Sequence, residues 1–267
     1  YLVKPAGQET IQDQQALVKL VSSEPGLEGS KDIIYQLGLF KPDGTPLKNA
    51  TGANIIIDGH YGAGTADALD FDMGVSPRAI FASGSQKAHF NVKTIEDTRY
   101  ELPKTVIVNF SEVHNLSTAN ISFESDVLSC QGYIIDQPAL LRIKSLGDHR
   151  ANSDVISGFF AISLVRASDG ALLTNKTGSD IIIECVPTPD SSGGVGKDYV
   201  YTNLHDLRIH GGNDQSSVNV NGIVLFNNDN VEKVVKLKLD KVNNPRGAQE
   251  IGIEKENSAA GFKILKN

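Results

Sequence analysis

Short stretches in which apolar and polar residues alternate recur along most of this chain. Val235-Lys236-Leu237-Lys238-Leu239 alternates strictly. A strand points successive side chains to opposite faces, so this pattern predicts a half-buried β-strand. The same reading applies to Tyr35, Leu37 and Leu39, to Phe160, Ile162 and Leu164, to Ala88, Phe90 and Val92, and to TVIVNF at 105–110. Thr, Val and Ile fill these segments, as pleated surfaces favour. Gly and Pro, 25 and 10 residues, fall between them and punctuate short strands. Helical periodicity is nearly absent, with one turn expected near residues 10–18.

An internal repeat organises the chain. Residues 43–58 read DGTPLKNATGANIIID and residues 169–184 read DGALLTNKTGSDIIIE, with nine identities in sixteen positions at an offset of 126. The flanks correspond as well. An alternating strand precedes each copy. A Gly-rich loop follows, then an Asp-aromatic pair, Asp70-Phe71 or Asp198-Tyr199. Next come a polar Gly turn and a strand, and then TIEDTRYE (94–101) or LFNNDNVE (225–232) ahead of TVIVNF or VVKLKL. The ends pair STANISFESD (117–126) with SAAGFKILKN (258–267). These matches predict two domains, 1–126 and 127–267, each with room for about seven strands. A length of 267 residues also exceeds the usual size of one core. The expected fold is all-β, two tandem antiparallel β-sandwiches.

The formal charge of −7 comes without a polybasic run, which argues against nucleic acid and anionic membranes as partners. No apolar stretch approaches the ~20 residues that span a bilayer, so no membrane insertion is expected. The chain opens at Tyr1 without an initiator Met and is read as a fragment or a processed form. Cys130 and Cys185 form either one disulfide or two buried thiols, and the pattern brings nothing together in favour of the bridge.

The first repeat resembles a Calx-β domain. It carries Glu28-Gly29, then GTADALDF (64–71), then ASGSQKAHFNVKTIEDTRYE (82–101), with ISFESD (121–126) at its end. The resemblance covers most of residues 25–126. It implies an immunoglobulin-like β-sandwich whose acidic loops converge at one end to bind Ca2+. By matching positions the implied ligands are Glu28, Asp70, Glu96, Asp97 and Glu101, with Asp126 a further candidate. Calcium takes six to eight oxygen ligands, and gathered carboxylates repel unless a cation neutralises them. Scattered surface acids are the alternative reading. The second repeat keeps GKDY (196–199) but offers only Asp198, Asp229 and Glu232, with Asn227 and Asn228 in the corresponding loop. Weak calcium binding or none is expected there.

Other signals are weaker. GGVGK at 193–197 lacks the leading Gly and the closing Ser or Thr of a phosphate loop. The six histidines show no i, i+4 zinc spacing, and His89 should face solvent. No nucleophile elbow is present, and a duplicated sandwich is an unusual frame for catalysis. Sequons at Asn49, Asn115, Asn120 and Asn175 read either as glycan acceptors or as good turn residues. Trp is absent and aromatics are 6%, which disfavours a ring-stacking sugar site. The sequence therefore predicts a non-enzymatic extracellular module of a cell-surface, adhesin-type protein. Its partners would be neighbouring repeats of its own chain and a cell-surface protein or glycan ligand. A calcium-sensing domain pair and a ligand-binding sandwich are the alternatives.

Overall fold

The computed structural model describes residues 15–115, 119–150, 155–212, 215–225 and 231–266, and every regular element among them is a strand. Most of the helical turn expected near 10–18 lies outside the described residues, and from Ala16 the chain is already a strand. Among the described residues no helix is long and apolar enough to cross a membrane. The chain divides into two compact units. The first takes residues up to Asp97 and Pro103–Ile135; the second takes Thr98–Leu102 and Asp136 onward.

The first unit runs through β1 (Ala16–Glu24), β2 (Gly26–Leu27), β3 (Ile33–Phe40), β4 (Pro46–Leu47), β5 (Ile55–Tyr61), β6 (Arg78–Phe81) and β7 (Lys87–Val92). After β8 (Arg99–Tyr100), which counts with the second unit, it resumes with β9 (Lys104–Asn115), β10 (Ile121–Phe123) and β11 (Leu128–Ile135). One sheet has the order β10-β1-β3-β4, with β7 also on β3; the other is β2-β11-β9-β5-β6. Ladders are antiparallel except β1–β10 and β2–β11. Pro25 separates β1 from β2. It has no N–H to give a ladder, so the first strand stops there and the chain crosses to the other sheet. Alternation supplies the core. Val18, Tyr35, Leu37, Ile57, Val108 and Phe110 are fully buried between the sheets. Tyr35 satisfies its buried hydroxyl by donating to Val106 O at 2.8 Å. Gly132 must be glycine here, because a Cβ would stand 2.6 Å from that hydroxyl.

The second unit repeats the plan. It contains β12 (Ala139–Ser145), β13 (His149–Arg150), β14 (Ser157–Arg166), β15 (Thr174–Asn175), β16 (Ile181–Pro187), β17 (Tyr199–Tyr201), β18 (Leu207–Ile209), β19 (Ser217–Val224), β20 (Lys233–Asn243), β21 (Ile251–Ile253) and β22 (Ala259–Leu265). Its sheets are β17-β19-β14-β12-β21 and β13-β22-β20-β16-β18, with β8 pairing β15. The first strand is again split between sheets: β12 pairs β14, while β13 pairs β22 in parallel. β21 lies parallel beside β12 as β10 lies beside β1. The chain is thus all-β, with two tandem immunoglobulin-like β-sandwiches that are antiparallel apart from short edge ladders.

The repeated 43–58 and 169–184 segments fold alike, down to single hydrogen bonds. Asn49 Nδ2 donates to Ala53 O and Phe81 O, both at 2.8 Å, and its Oδ1 accepts from Thr51 N–H and Thr51 Oγ1. Asn175 Nδ2 donates to Ser179 O at 2.9 Å and Ile209 O at 2.8 Å, and its Oδ1 accepts from the Thr177 amide and hydroxyl. Gly52 and Gly178 follow at φ 79° and 76°, a left-handed conformation that glycine adopts without steric cost. The N-x-T pattern is therefore a turn device. Both asparagines are buried, at 2% and 0% exposure, with their amide nitrogens committed to carbonyls.

One sequence expectation is corrected. The first unit does not end at Asp126. β11 follows it and pairs β9 along its length, so the boundary falls after Ile135. The counterpart of β22 is β11, and the counterpart of β21 is β10. Matching 117–126 to 258–267 skipped one strand, because short period-2 segments fit either partner equally well.

Candidate metal site in the first unit

Three loops of the first unit are laced together at the end where β2 and β11 finish. Thr94 Oγ1 donates to Leu27 O at 3.0 Å and to Lys31 O at 3.2 Å. Ile95 N–H donates to Asp70 O at 2.8 Å, and Asp72 N–H to Lys93 O at 3.0 Å. Glu28 N–H donates to Ile135 O at 3.0 Å, which pins the Glu28 loop to the last strand. Gly29 explains why a glycine follows Glu28. It sits at φ 61°, and a Cβ there would come 2.4 Å from Glu96 Cβ. Only glycine lets the two loops approach so closely.

These loops hold buried carboxylates. Glu28 is 5% exposed, and its Oε1 accepts the Asp97 N–H at 2.8 Å. Asp70 is 4% exposed, and its Oδ2 accepts the Asp67 N–H at 2.6 Å. Lys104, the first residue of β9, brings its ammonium to 3.2 Å from Asp70 Oδ1. Asp97 is half-buried, and one of its oxygens lies within 4.8 Å of one from Asp70. The Glu96 residue is exposed. Glu101 counts with the second unit, where Arg99 faces it at 3.5 Å and its N–H donates to the Asp136 carboxylate.

Asp126 does not join this set. It is exposed and precedes Leu128, whereas Glu28 is pinned at Ile135, the far end of β11. Seven steps at ~3.3 Å place those strand ends about 23 Å apart. The misplaced end of the repeat is what made Asp126 look terminal.

The second unit keeps the Asp and the Lys. Asp198 is 3% exposed, its Oδ2 accepts the Gly194 N–H at 2.7 Å, and Lys233 Nζ lies 2.7 Å from its Oδ1. Burial alone would raise this carboxyl, but the Gly194 amide and the Lys233 ammonium outweigh it and hold the group below its ordinary value. The glycines of GGVGK thus serve an internal carboxylate instead of a phosphate. Glu232 is exposed and stands 3.6 Å from Lys263. Asn227, Asn228 and Asp229 lie outside the described residues. Lys104 and Lys233 were not candidates in the sequence. Their signal is there, since each opens an alternating strand, 34 and 35 residues after its Asp.

Cys130 and Cys185 are free and buried, and burial pushes both thiols up to about 12. His89 is exposed, as the alternation predicts. His114 lies 3.1 Å from Asp58, itself clasped by Arg78, and His210 lies 3.1 Å from Asp180.

No family model matches the chain, and no curated protein matches it. Solved structures do. Calcium binding domain CBD12 of CALX1.1 is 10% identical over 92% of this chain and 99% of its own, with a TM-score of 0.35. The adhesin InvE of Yersinia pseudotuberculosis is 13% identical over 94% of this chain and 58% of its own, at 0.33. The Escherichia coli adhesin FdeC is 11% identical over 94% of this chain and 63% of its own, at 0.32.

Proposed function

We propose that the chain is a non-enzymatic module of a longer extracellular, cell-surface protein of adhesin type, and that calcium binds and stiffens its first unit. The observation that carries the reading is the lacing of three loops that hold Glu28, Asp70 and Asp97 together, with Asp70 and Asp97 oxygens within 4.8 Å. Two carboxylates so close repel, and a divalent ion placed between them would relieve that repulsion. Glu28, Asp70, Glu96 and Asp97 would supply the carboxylates, and loop carbonyls and water would complete a flexible shell of the kind calcium accepts. Asp126 has no part in it.

In the second unit a tethered ammonium already sits 2.7 Å from the matching Asp198. That unit is proposed as the metal-independent partner of the pair. Two sandwiches of one plan, each with its own core, suit a spacer that presents or joins neighbouring repeats. The partners of such a module would be those repeats and a surface protein or glycan.

The test is a thermal melt of the intact chain with calcium and with magnesium. At a hundredfold excess over the dissociation constant, calcium should add about 2.7 kcal/mol to one transition and leave the other unchanged. Magnesium should do little, since it demands rigid octahedral geometry. Absence of any shift at millimolar calcium would overturn the reading.

A further inference from the structure

The second unit holds a half-buried histidine whose Nε2 is turned inward. His149 packs against Phe159 and Phe262, with ring centroids 5.0 Å from each. Its Nε2 is shut off from water and has no hydrogen-bond partner, while the ring is also bonded to the backbone of Gly158. A neutral imidazole tolerates this arrangement. A protonated one would place a charge and a second N–H donor against apolar rings, without an acceptor.

His149 is also half of the two-residue strand β13. That strand lies at the edge of its sheet, with His149 opposite Ile264 and Arg150 opposite Leu265 of β22. Next to it, Asp148 Oδ1 accepts the Lys263 N–H at 2.7 Å. A two-residue ladder fixes few bonds against the entropy of ordering the chain, so side-chain packing decides whether it holds.

We propose that His149 is an acid-sensitive fastener: neutral, its ring holds β13 on the edge of β22, and protonated, it leaves the aromatic pocket and β13 lifts away, uncovering the edge of β22. Each element packed on the ring is consistent with this. On its own segment stand Asp148 and Arg150. β22 brings Lys263, and β14 brings Phe159 and the Gly158 backbone. Behind Phe159, β17 brings Tyr199 and Tyr201, whose hydroxyls burial holds above their ordinary value. Burial lowers the His149 pKa, and the Gly158 bond and the Asp148 charge oppose it without reversing it. The sign follows. A lowered native value means that the closed form has its full strength above the ordinary value of about 6.5 and loses it as the pH falls below that.

The test is amide hydrogen exchange of the intact chain at pH 7.5 and 5.0, corrected for the intrinsic rate. Wild-type protein should show about tenfold more opening across residues 263–265 at pH 5.0 for each unit by which the fold lowers the pKa. His149→Phe, which keeps the aromatic packing, should show no such change. Equal protection at both pH values in wild type, or an unchanged pH response in His149→Phe, would overturn the proposal. If His149→Phe does not fold, the wild-type imidazole resonance decides. Titration below 6.5 in step with loss of β22 protection supports the fastener, and titration at or above 6.5 refutes it.

Discussion

Replacing Asn175 by Ala is expected to cost the second unit roughly 2–4 kcal/mol. Asn175 is fully buried and makes four hydrogen bonds. Ser179 O keeps a bond from Thr177 Oγ1 at 3.0 Å after truncation, so its loss counts little. The Thr177 N–H and Ile209 O lose this partner in a buried site, at about 1–3 kcal/mol for each group left unsatisfied. A unit of this size should then melt about 10 °C lower, at roughly 3–5 °C per kcal/mol. Asn175→Asp separates hydrogen bonding from shape. It keeps Oδ1 but turns the donor nitrogen into a carboxylate oxygen facing two carbonyls. At pH 7 it should cost at least as much as Ala, and it should recover towards pH 4 as the carboxyl protonates and regains a donor. The assay is calorimetric melting of the intact chain, with Asn49→Ala as the matched change in the first unit. A loss below about 0.5 kcal/mol for Asn175→Ala, or Asp as benign as wild type at pH 7, would refute the reasoning.

Three further outcomes are expected. Lys233→Met strands the buried Asp198 carboxylate and should cost about 3–5 kcal/mol at pH 7, as breaking a buried pair does; since the wild-type carboxyl is held below its ordinary value, the pair's contribution is present above that ordinary value and lost as pH falls through the lowered one, so chemical denaturation should show the gap between variant and wild type closing below about pH 4. Cys130 and Cys185, with thiols pushed up to about 12, should resist a disulfide reagent at pH 8 in the native chain and react together once urea unfolds it; fast native reaction would contradict the burial argument. Gly29→Ala forces a Cβ into a left-handed φ against Glu96 and should destabilise the first unit by about 1–2 kcal/mol while weakening its calcium response, readable in one pair of melts.

The alternating strands and the duplicated turn segment were legible because each rests on local physics. A half-buried strand must alternate, and a buried Asn that ties a turn needs its Thr two residues on and its glycine after that. The Glu28-Gly29 pair was legible as a motif, and the structure supplies its reason in the approach to Glu96. What the sequence hid depends on register between distant strands. Period-2 segments at the two ends of the repeat look alike, so the pattern alone puts β11 in the wrong unit and makes Asp126 look like a terminal acid. Lys104 and Lys233 were passed over because an alternating strand that opens on Lys reads as solvated, and only the fold turns the ammonium onto a buried Asp. His149 carries no mark at all, since its pocket is built from Phe159 and Phe262, which meet it only once β13 pairs β22.

The central claim, that the first unit holds calcium through its laced acidic loops, is tested most directly by calorimetric titration of the intact chain beside its Asp97→Asn variant. The account predicts calcium heat in wild type from a site in the first unit, little from magnesium, and loss of most of that heat in Asp97→Asn, which removes a charge while keeping shape. Wild type without calcium heat at millimolar concentration, or Asp97→Asn binding as wild type does, would contradict it.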